Sequence, residues 1–66
     1  MFITVNGKKK ELITALTVAE YLEENGYVTS QIAVELNEEI LPKAEYSTVE
    51  LQENDVMEVV SFMGGG

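Results

Sequence analysis

The sequence contains no cysteine, no histidine and no tryptophan among its 66 residues. Without cysteine the chain cannot form disulfides, use a thiolate nucleophile, or ligate a zinc finger or an iron–sulfur cluster. Without histidine it lacks the usual acid–base group at neutral pH and the commonest metal ligand, and no metal site is predicted. A chain of 7.3 kDa hides only about three-fifths of its surface on folding, so we expect one domain without a deep catalytic cleft. Its function is therefore expected at its surface or at its ends.

Positive charge is also scarce in this sequence. Four lysines oppose twelve carboxylates, which gives a net charge of −8 and a pI near 4.1. That field repels a phosphate backbone, and the only basic run is Lys8-Lys9-Lys10, so we predict no nucleic-acid binding. Apolar runs reach only two or three residues, so we predict neither a membrane span nor a signal peptide and expect a cytoplasmic protein. The acidic surface suits a protein partner with a basic patch, although solubility alone would explain most of these charges.

Local signals in the first half of the chain predict two strands and a helix. The elements expected are strands at residues 2–5 and about 10–14, then a helix from residue 17 to residue 25. Asn6-Gly7 is the strongest short hairpin signal, and it separates the two strands. Thr17 and Glu20 have the spacing of a capping box at the start of the helix. Gly26 can take the left-handed conformation that ends it.

The second half of the chain reads as short strands separated by turns. The strands expected are 32–36, 49–51 and 56–62, with a short additional strand piece at 40–41 and turns at 37–39 and 53–55. Because Glu35 and Glu58 prefer water, alternation assigns the residues beside them to the core. The inward residues predicted in this way are Ile32, Val34, Leu36, Met57 and Val59. Pro42 confines the piece at 40–41 to a sheet edge. The order β-β-α-β-β-β predicts a single sheet with one helix across one side.

The same alternation leaves large apolar side chains on the outer side of the sheet. Val56, Val60 and Phe62 share that face, and Phe2 is expected beside them. We name these four residues the outer patch. A contiguous apolar patch of this kind indicates a docking surface. The plain alternative is that small proteins expose many apolar atoms without any functional meaning.

The sequence closes on Gly64, Gly65 and Gly66. Glycine has no Cβ and a high ordering entropy, so we expect residues 63–66 to form a flexible tail. Extended, these four residues would reach roughly 13 Å beyond the sheet. So thin a segment can enter a narrow channel in another protein, and glycine leaves the carboxyl carbon open to attack. The alternative is a frayed or engineered end.

Taken together, these segments resemble the ubiquitin-like sulfur carriers, in particular the ThiS family of thiamine biosynthesis. The segments that carry the resemblance are residues 3–7, 17–22, 33–37, 40–43, 51–55 and 58–66. Three positions depart from the family pattern. Lys43 stands where arginine is common, Tyr46 where tryptophan is frequent, and Asn54 where glycine usually precedes the aspartate.

The resemblance implies an α+β fold of the ubiquitin-like β-grasp type, with a mixed sheet of four to five strands packed on one main helix. Residues 1–66 would form a single domain whose tail is 63–66. It also implies that an E1-like enzyme uses ATP to adenylate the carboxylate of Gly66, that a sulfur-donor protein converts it to a thiocarboxylate, and that thiazole synthase takes the sulfur. The chain would bind no cofactor itself and would not be an enzyme, because it has neither a phosphate-binding loop nor a cysteine.

Each candidate residue then has an expected role. Gly66 carries the chemistry, Gly64 and Gly65 provide steric clearance, and the outer patch residues Phe62, Val60, Val56 and Phe2 bind the partner. Two other functions remain open: the small subunit of molybdopterin synthase, which has the same fold and tail, and a ubiquitin-like binding module. An enzyme with paired carboxylates at 23–24 or 38–39 is disfavoured, because adjacent side chains diverge and nothing would desolvate them.

Overall fold

The computed structural model describes residues 1–62, so the predicted tail at 63–66 lies outside the described residues. Within residues 1–62 the chain forms five strands, one α-helix and two 3-10 helices. In chain order they are β1 (Phe2–Val5), β2 (Lys8–Glu11), α1 (Val18–Glu24), a 3-10 helix at Thr29–Gln31, β3 (Ile32–Leu36), β4 (Glu39–Leu41), a 3-10 helix at Lys43–Glu45, and β5 (Val56–Ser61). The order β-β-α-β-β-β agrees with the prediction, although the second strand after the helix is β4 at Glu39–Leu41 and not the predicted segment 49–51.

The strands form one mixed sheet in the order β2-β1-β5-β3-β4. β1 and β5 run parallel, and the other neighbouring pairs are antiparallel. The last strand of the described residues, β5, therefore lies at the centre, and β2 and β4 lie at the edges. One helix packs on one side of this sheet, as the β-grasp expectation requires.

The helix begins where the capping box predicts. The backbone N–H of Glu20 donates to Thr17 Oγ1 at 3.1 Å, and the backbone N–H of Thr17 donates to Glu20 Oε1 at 2.8 Å. Gly26 follows the C-terminal end with φ of +79°, a left-handed conformation that glycine adopts without a Cβ penalty. Because α1 has only seven residues, burial of its apolar side stabilises it more than intrinsic propensity does.

The core lies between the helix and the sheet. Its buried members are Ile3, Val5, Leu12, Val18, Tyr21, Leu22, Ile32, Val34, Tyr46, Leu51, Met57 and Val59. The alternation argument is confirmed in β5, where Met57 and Val59 are buried while Glu58 is exposed. In β3, Ile32 and Val34 are buried and Leu36 is half-buried, packed against the core.

The second strand was predicted at residues 10–14, and this is wrong. β2 begins at Lys8, directly after the turn, and pairs Lys8 with Val5. Asn6 and Gly7 have φ of 51° and 80°, so both take the conformations of a two-residue hairpin turn, which leaves no room for a longer loop. All four residues of β2 are exposed, and an edge position lets lysines occupy a strand without burying charge.

The strand predicted at 49–51 is also wrong. This segment forms one isolated bridge, between Glu50 and Thr17, instead of a ladder. Its backbone pairs with the chain around the helix start, since the Val18 N–H donates to Val49 O at 2.9 Å and the Leu51 N–H donates to Leu16 O at 2.9 Å. Leu51 is nevertheless buried in the core, and Val49 packs against it.

The turn predicted at 37–39 contains only two residues, Asn37 and Glu38, because Glu39 already belongs to β4. Both have positive φ, 54° and 71°. Most L-residues are strained in that conformation by roughly 1–2 kcal/mol; asparagine tolerates it better, and glycine adopts it freely because it has no Cβ. Glu38 therefore carries local strain that glycine would remove.

We expect Glu38→Gly to raise the free energy of unfolding by about 0.5–1 kcal/mol, the relief of strain less the extra entropy of glycine in the unfolded chain. Urea unfolding measures this change in the free energy of unfolding. Glu38→Ala removes the same charge but keeps the Cβ, so it should give no comparable gain. Equal stabilisation by both variants would assign the effect to charge and contradict the strain argument.

Candidate functional site

The outer patch lies on the sheet face opposite the helix, and all four of its residues are exposed there. Phe2 is 39% exposed, Val56 42%, Val60 54% and Phe62 58%. The parallel register pairs Thr4 with Val56, which places Phe2 and Val56 on neighbouring strands of the same face. Val60 lies four residues further along β5, about 13 Å away at the usual rise of a strand. The outer patch is therefore a stripe along β5, with two residues at each end.

An acidic pair interrupts this stripe. Glu58 lies between Val56 and Val60 on β5, and the register places Glu35 of β3 directly opposite it. Like charges directly opposite each other destabilise a sheet by a few tenths of a kcal/mol to about 1 kcal/mol. Ile40, which pairs with Glu35 from β4 and is 78% exposed, extends the apolar surface on the far side of the pair. Sequence reasoning missed this juxtaposition, because strand neighbours cannot be read from one chain.

A lysine covers each aromatic ring of the outer patch. The Nζ of Lys9 lies 4.4 Å from the centroid of the Phe2 ring, and the Nζ of Lys43 lies 5.4 Å from that of Phe62. Such exposed cation–π contacts contribute about 0.5–1 kcal/mol. Both ends of the stripe thus carry an aromatic ring beside a positive charge, while its middle is negative.

The last residues of β5 form the base from which the predicted tail would leave. On one side, Ser61 pairs with Ile32, and the Phe62 N–H donates to Gln31 O at 3.1 Å. On the other side the ladder between β1 and β5 ends at Val5 and Met57. The predicted functional residues Gly64, Gly65 and Gly66 follow and lie outside the described residues.

The carboxylates at 23–24 and 38–39 are all exposed. Residues 1–62 contain no group of three or more acidic, histidine or cysteine side chains placed to hold a metal ion. In the same part of the chain, the helices lack the length and apolar character needed to cross a membrane.

Two ionisable side chains are buried in the core, Tyr21 and Tyr46. Burial raises the pKa of Tyr21 above its ordinary value of 10.0, and nearby Tyr27 raises it further. Burial also raises the pKa of Tyr46, partly offset by its hydrogen bond to the backbone of Val34. Both phenols are therefore held protonated by the core and contribute no charge to the outer face.

These shifts predict alkaline destabilisation. Because each folded pKa exceeds the unfolded value of 10.0, the folded state keeps protons that the unfolded state has lost. The stability is fully present below about pH 10 and falls above it, by at most about 1.4 kcal/mol per pH unit for each tyrosine. Urea unfolding between pH 8 and pH 11 should show this fall, with a shallower slope in Tyr21→Phe. An unchanged slope in that variant would contradict the assignment.

The model of the ThiS family matches residues 3–66 of the chain. The chain belongs to the ThiS family. Its match to the "Sulfur carrier protein ThiS" of Bacillus subtilis is 42% identical over 69 residues and covers 97% of this chain and 98% of that protein. The crystal structure of the thiamine biosynthesis protein ThiS from Geobacter metallireducens superimposes with a TM-score of 0.84 at 33% identity, covering 100% of both chains. The β-grasp expectation is thereby confirmed for this family member.

A third relative of this ThiS-family chain is much longer. The "Thiazole synthase" of Paramagnetospirillum magneticum is 38% identical over 66 residues, which is 100% of this chain and 20% of that protein. The chain thus spans one-fifth of that relative's length. A protein with that name contains a region similar to the whole of this chain.

Proposed function

We propose that this chain is a sulfur carrier of thiamine biosynthesis that acts through the carboxylate of Gly66. The observation that carries the proposal is the ThiS family match, which runs from residue 3 through the three closing glycines to residue 66. The match to a named sulfur carrier over 98% of that carrier's length supports it. In this proposal the molecule is a substrate of other enzymes and not a catalyst.

The proposed chemistry proceeds in two steps on partner enzymes. The Gly66 carboxylate attacks the α-phosphorus of ATP, and the bond to pyrophosphate breaks, which leaves an acyl-adenylate. Sulfur at the oxidation level of sulfide, supplied by a donor protein, then attacks the carbonyl carbon, and AMP leaves with the electron pair of the broken bond. The product is a thiocarboxylate. Adenylation is needed because a carboxylate is a poor electrophile, and AMP is a good leaving group.

Thiazole synthase is the proposed acceptor of that sulfur. The support is the relative of that name in which a region similar to this chain makes up one-fifth of the protein. The molybdopterin pathway is the rival acceptor. Incubating the thiocarboxylate with thiazole synthase and, separately, with the large subunit of molybdopterin synthase tests the assignment, since sulfur transfer to the second enzyme alone would contradict it.

Mass spectrometry of the intact protein from its own cells is the direct test of the carrier function. The expected result is a species heavier by one sulfur-for-oxygen exchange, located by fragmentation at Gly66. A protein that continues beyond Gly66 in its cells, or one that never carries this exchange, would overturn the proposal.

We further propose that the outer patch docks the adenylating enzyme, and that the Glu35–Glu58 pair recognises a basic side chain there. Two carboxylates held opposite each other cost stability in the free protein. A cation from a partner would relieve that repulsion, and the net charge of −8 would steer the encounter.

This predicts opposite effects on stability and binding. Glu58→Gln should raise the free energy of unfolding by about 0.2–1 kcal/mol, because a like-charge contact is lost. It should also weaken the complex with the adenylating enzyme by about three- to tenfold, and more at low salt. Isothermal titration calorimetry and urea unfolding measure the two effects.

The matched control is Glu23→Gln, which removes the same charge from the exposed surface of α1. Its affinity should stay within about twofold of that of the unsubstituted protein, since steering by net charge alone is weakly sensitive to one carboxylate. Equal losses for the two variants would mean that net charge, and not the acidic pair, is recognised.

A further inference from the structure

The side chain of Asn6 lies beside the part of β5 that β1 does not reach. β1 ends at Val5, and the chain then turns away into β2, so β1 supplies no backbone to pair with the last part of β5. The ladder on this side of β5 involves every second residue. The Thr4 N–H donates to Asp55 O at 2.9 Å, and the Asn6 N–H donates to Met57 O at 2.9 Å. The next backbone groups in this series belong to Val59.

The carboxamide of Asn6 takes the place of the missing strand. The Val59 N–H donates to Asn6 Oδ1 at 2.7 Å, and Asn6 Nδ2 donates to Val59 O at 3.3 Å. Both bonds are partly buried, and they join residues 53 positions apart. An amide presents a donor and an acceptor side by side, as a backbone strand does. Asn6 thus extends the ladder by one step toward the end of the described chain.

We infer that Asn6 is a positioning residue that pre-orders the end of β5, from which the reactive terminus extends, for the adenylating enzyme. The inference rests on the proposed function. Without the carboxamide, Val59 to Phe62 would be paired on the β3 side alone. A strand end that frays in the free protein must be ordered on binding, and ordering costs about 1–2 kcal/mol per residue. A strand end that is already ordered in the free protein does not incur this cost on binding.

The chain contains a matched control at the other end of the same strand. Asn37 also lies in a two-residue turn with positive φ, 54° against 51° for Asn6. The side-chain Oδ1 of Asn37 accepts from the Val56 N–H at 2.9 Å, and the backbone N–H of Asn37 donates to Val56 O at 2.7 Å. Asn37 therefore holds the start of β5 as Asn6 holds its end. Glycine suits both turns, so Asn6→Gly and Asn37→Gly each remove a side-chain clamp while keeping the turn.

The first measurement is amide hydrogen exchange in the free protein, followed by NMR. In Asn6→Gly we expect exchange at the Val59 amide to accelerate about tenfold while exchange at the Val56 amide is unchanged. In Asn37→Gly we expect exchange at the Val56 amide to accelerate about tenfold while exchange at the Val59 amide is unchanged. The factor corresponds to the loss of about 1.4 kcal/mol, a typical worth for one or two hydrogen bonds. Unchanged exchange at Val59 in Asn6→Gly would overturn the inference regardless of any activity.

The second measurement is carrier-dependent ATP–pyrophosphate exchange by the adenylating enzyme of the same organism. We expect Asn6→Gly to raise KM for the carrier about tenfold and leave kcat within twofold, because the ordering cost falls on binding and not on the chemical step. Asn37→Gly should leave both within twofold. Equal KM for the two variants, with the unsubstituted protein active, would overturn the positioning role alone. Failure of the unsubstituted protein to support exchange would overturn the proposed function as well.

Discussion

Replacing Gly65 with tryptophan is expected to lower the rate of thiocarboxylate formation at least about 100-fold. In the proposed function the carboxylate of Gly66 reaches the α-phosphorus of ATP inside another enzyme, and a displacement of about 1 Å at a reacting centre can cost that factor. Glycine at position 65 has no side chain to collide with a narrow channel, whereas tryptophan has the largest one. ATP–pyrophosphate exchange and intact mass spectrometry would both report the loss.

The fold should survive this change, because the core is built from residues between Ile3 and Val59. We therefore expect the thermal unfolding midpoint of Gly65→Trp to match that of the unsubstituted protein. The matched control is Ala15→Trp, which adds the same ring at an exposed position in the loop after β2. It should remain fully active. A normal yield of thiocarboxylate from Gly65→Trp would refute the idea that the tail enters a narrow channel.

Phe62→Ser is expected to raise the Kd for the adenylating enzyme by about 30-fold, equivalent to about 2 kcal/mol. Phe62 is the most exposed residue of the outer patch, at 58% exposure, and it is the last described residue before the tail. An aromatic ring in that position combines a large apolar area with little conformational freedom to lose. Isothermal titration calorimetry with the purified enzyme measures the change.

The free energy of unfolding of Phe62→Ser shows whether the Phe62 ring docks a partner or packs against the fold. Because the ring is already more than half exposed, its loss removes little burial, and its contact with Lys43 contributes about 0.5–1 kcal/mol at most. We expect the free energy of unfolding to fall by less than about 1 kcal/mol. Ile13→Ser is the matched control: Ile13 is 96% exposed, in the loop after β2, and its loss should not affect affinity. A large loss of stability in Phe62→Ser with unchanged affinity would show that the ring packs and does not dock.

Much of the fold follows from signals that act over a few residues. The capping box at Thr17, the hairpin turn at Asn6-Gly7 and the alternation around Glu58 each depend on neighbours in sequence, and each occurs where it was predicted. The strand predicted at 49–51 is wrong because the backbone partners of that segment lie far away in sequence. The pattern Val49-Glu50-Leu51 predicts a strand, but it could not show that the backbone there pairs with the start of the helix.

Some features of the candidate site could also be predicted from the sequence, and others depend on the tertiary structure. Sequence alone determined that the chain has no cysteine and no histidine and that the outer patch residues face away from the core, because these depend on composition and on the two-residue period of a strand. Tertiary structure decided which strands are neighbours. Only that arrangement places Glu35 opposite Glu58 and the Asn6 carboxamide beside Val59. Contacts between residues so far apart in sequence form only when the whole sheet has assembled.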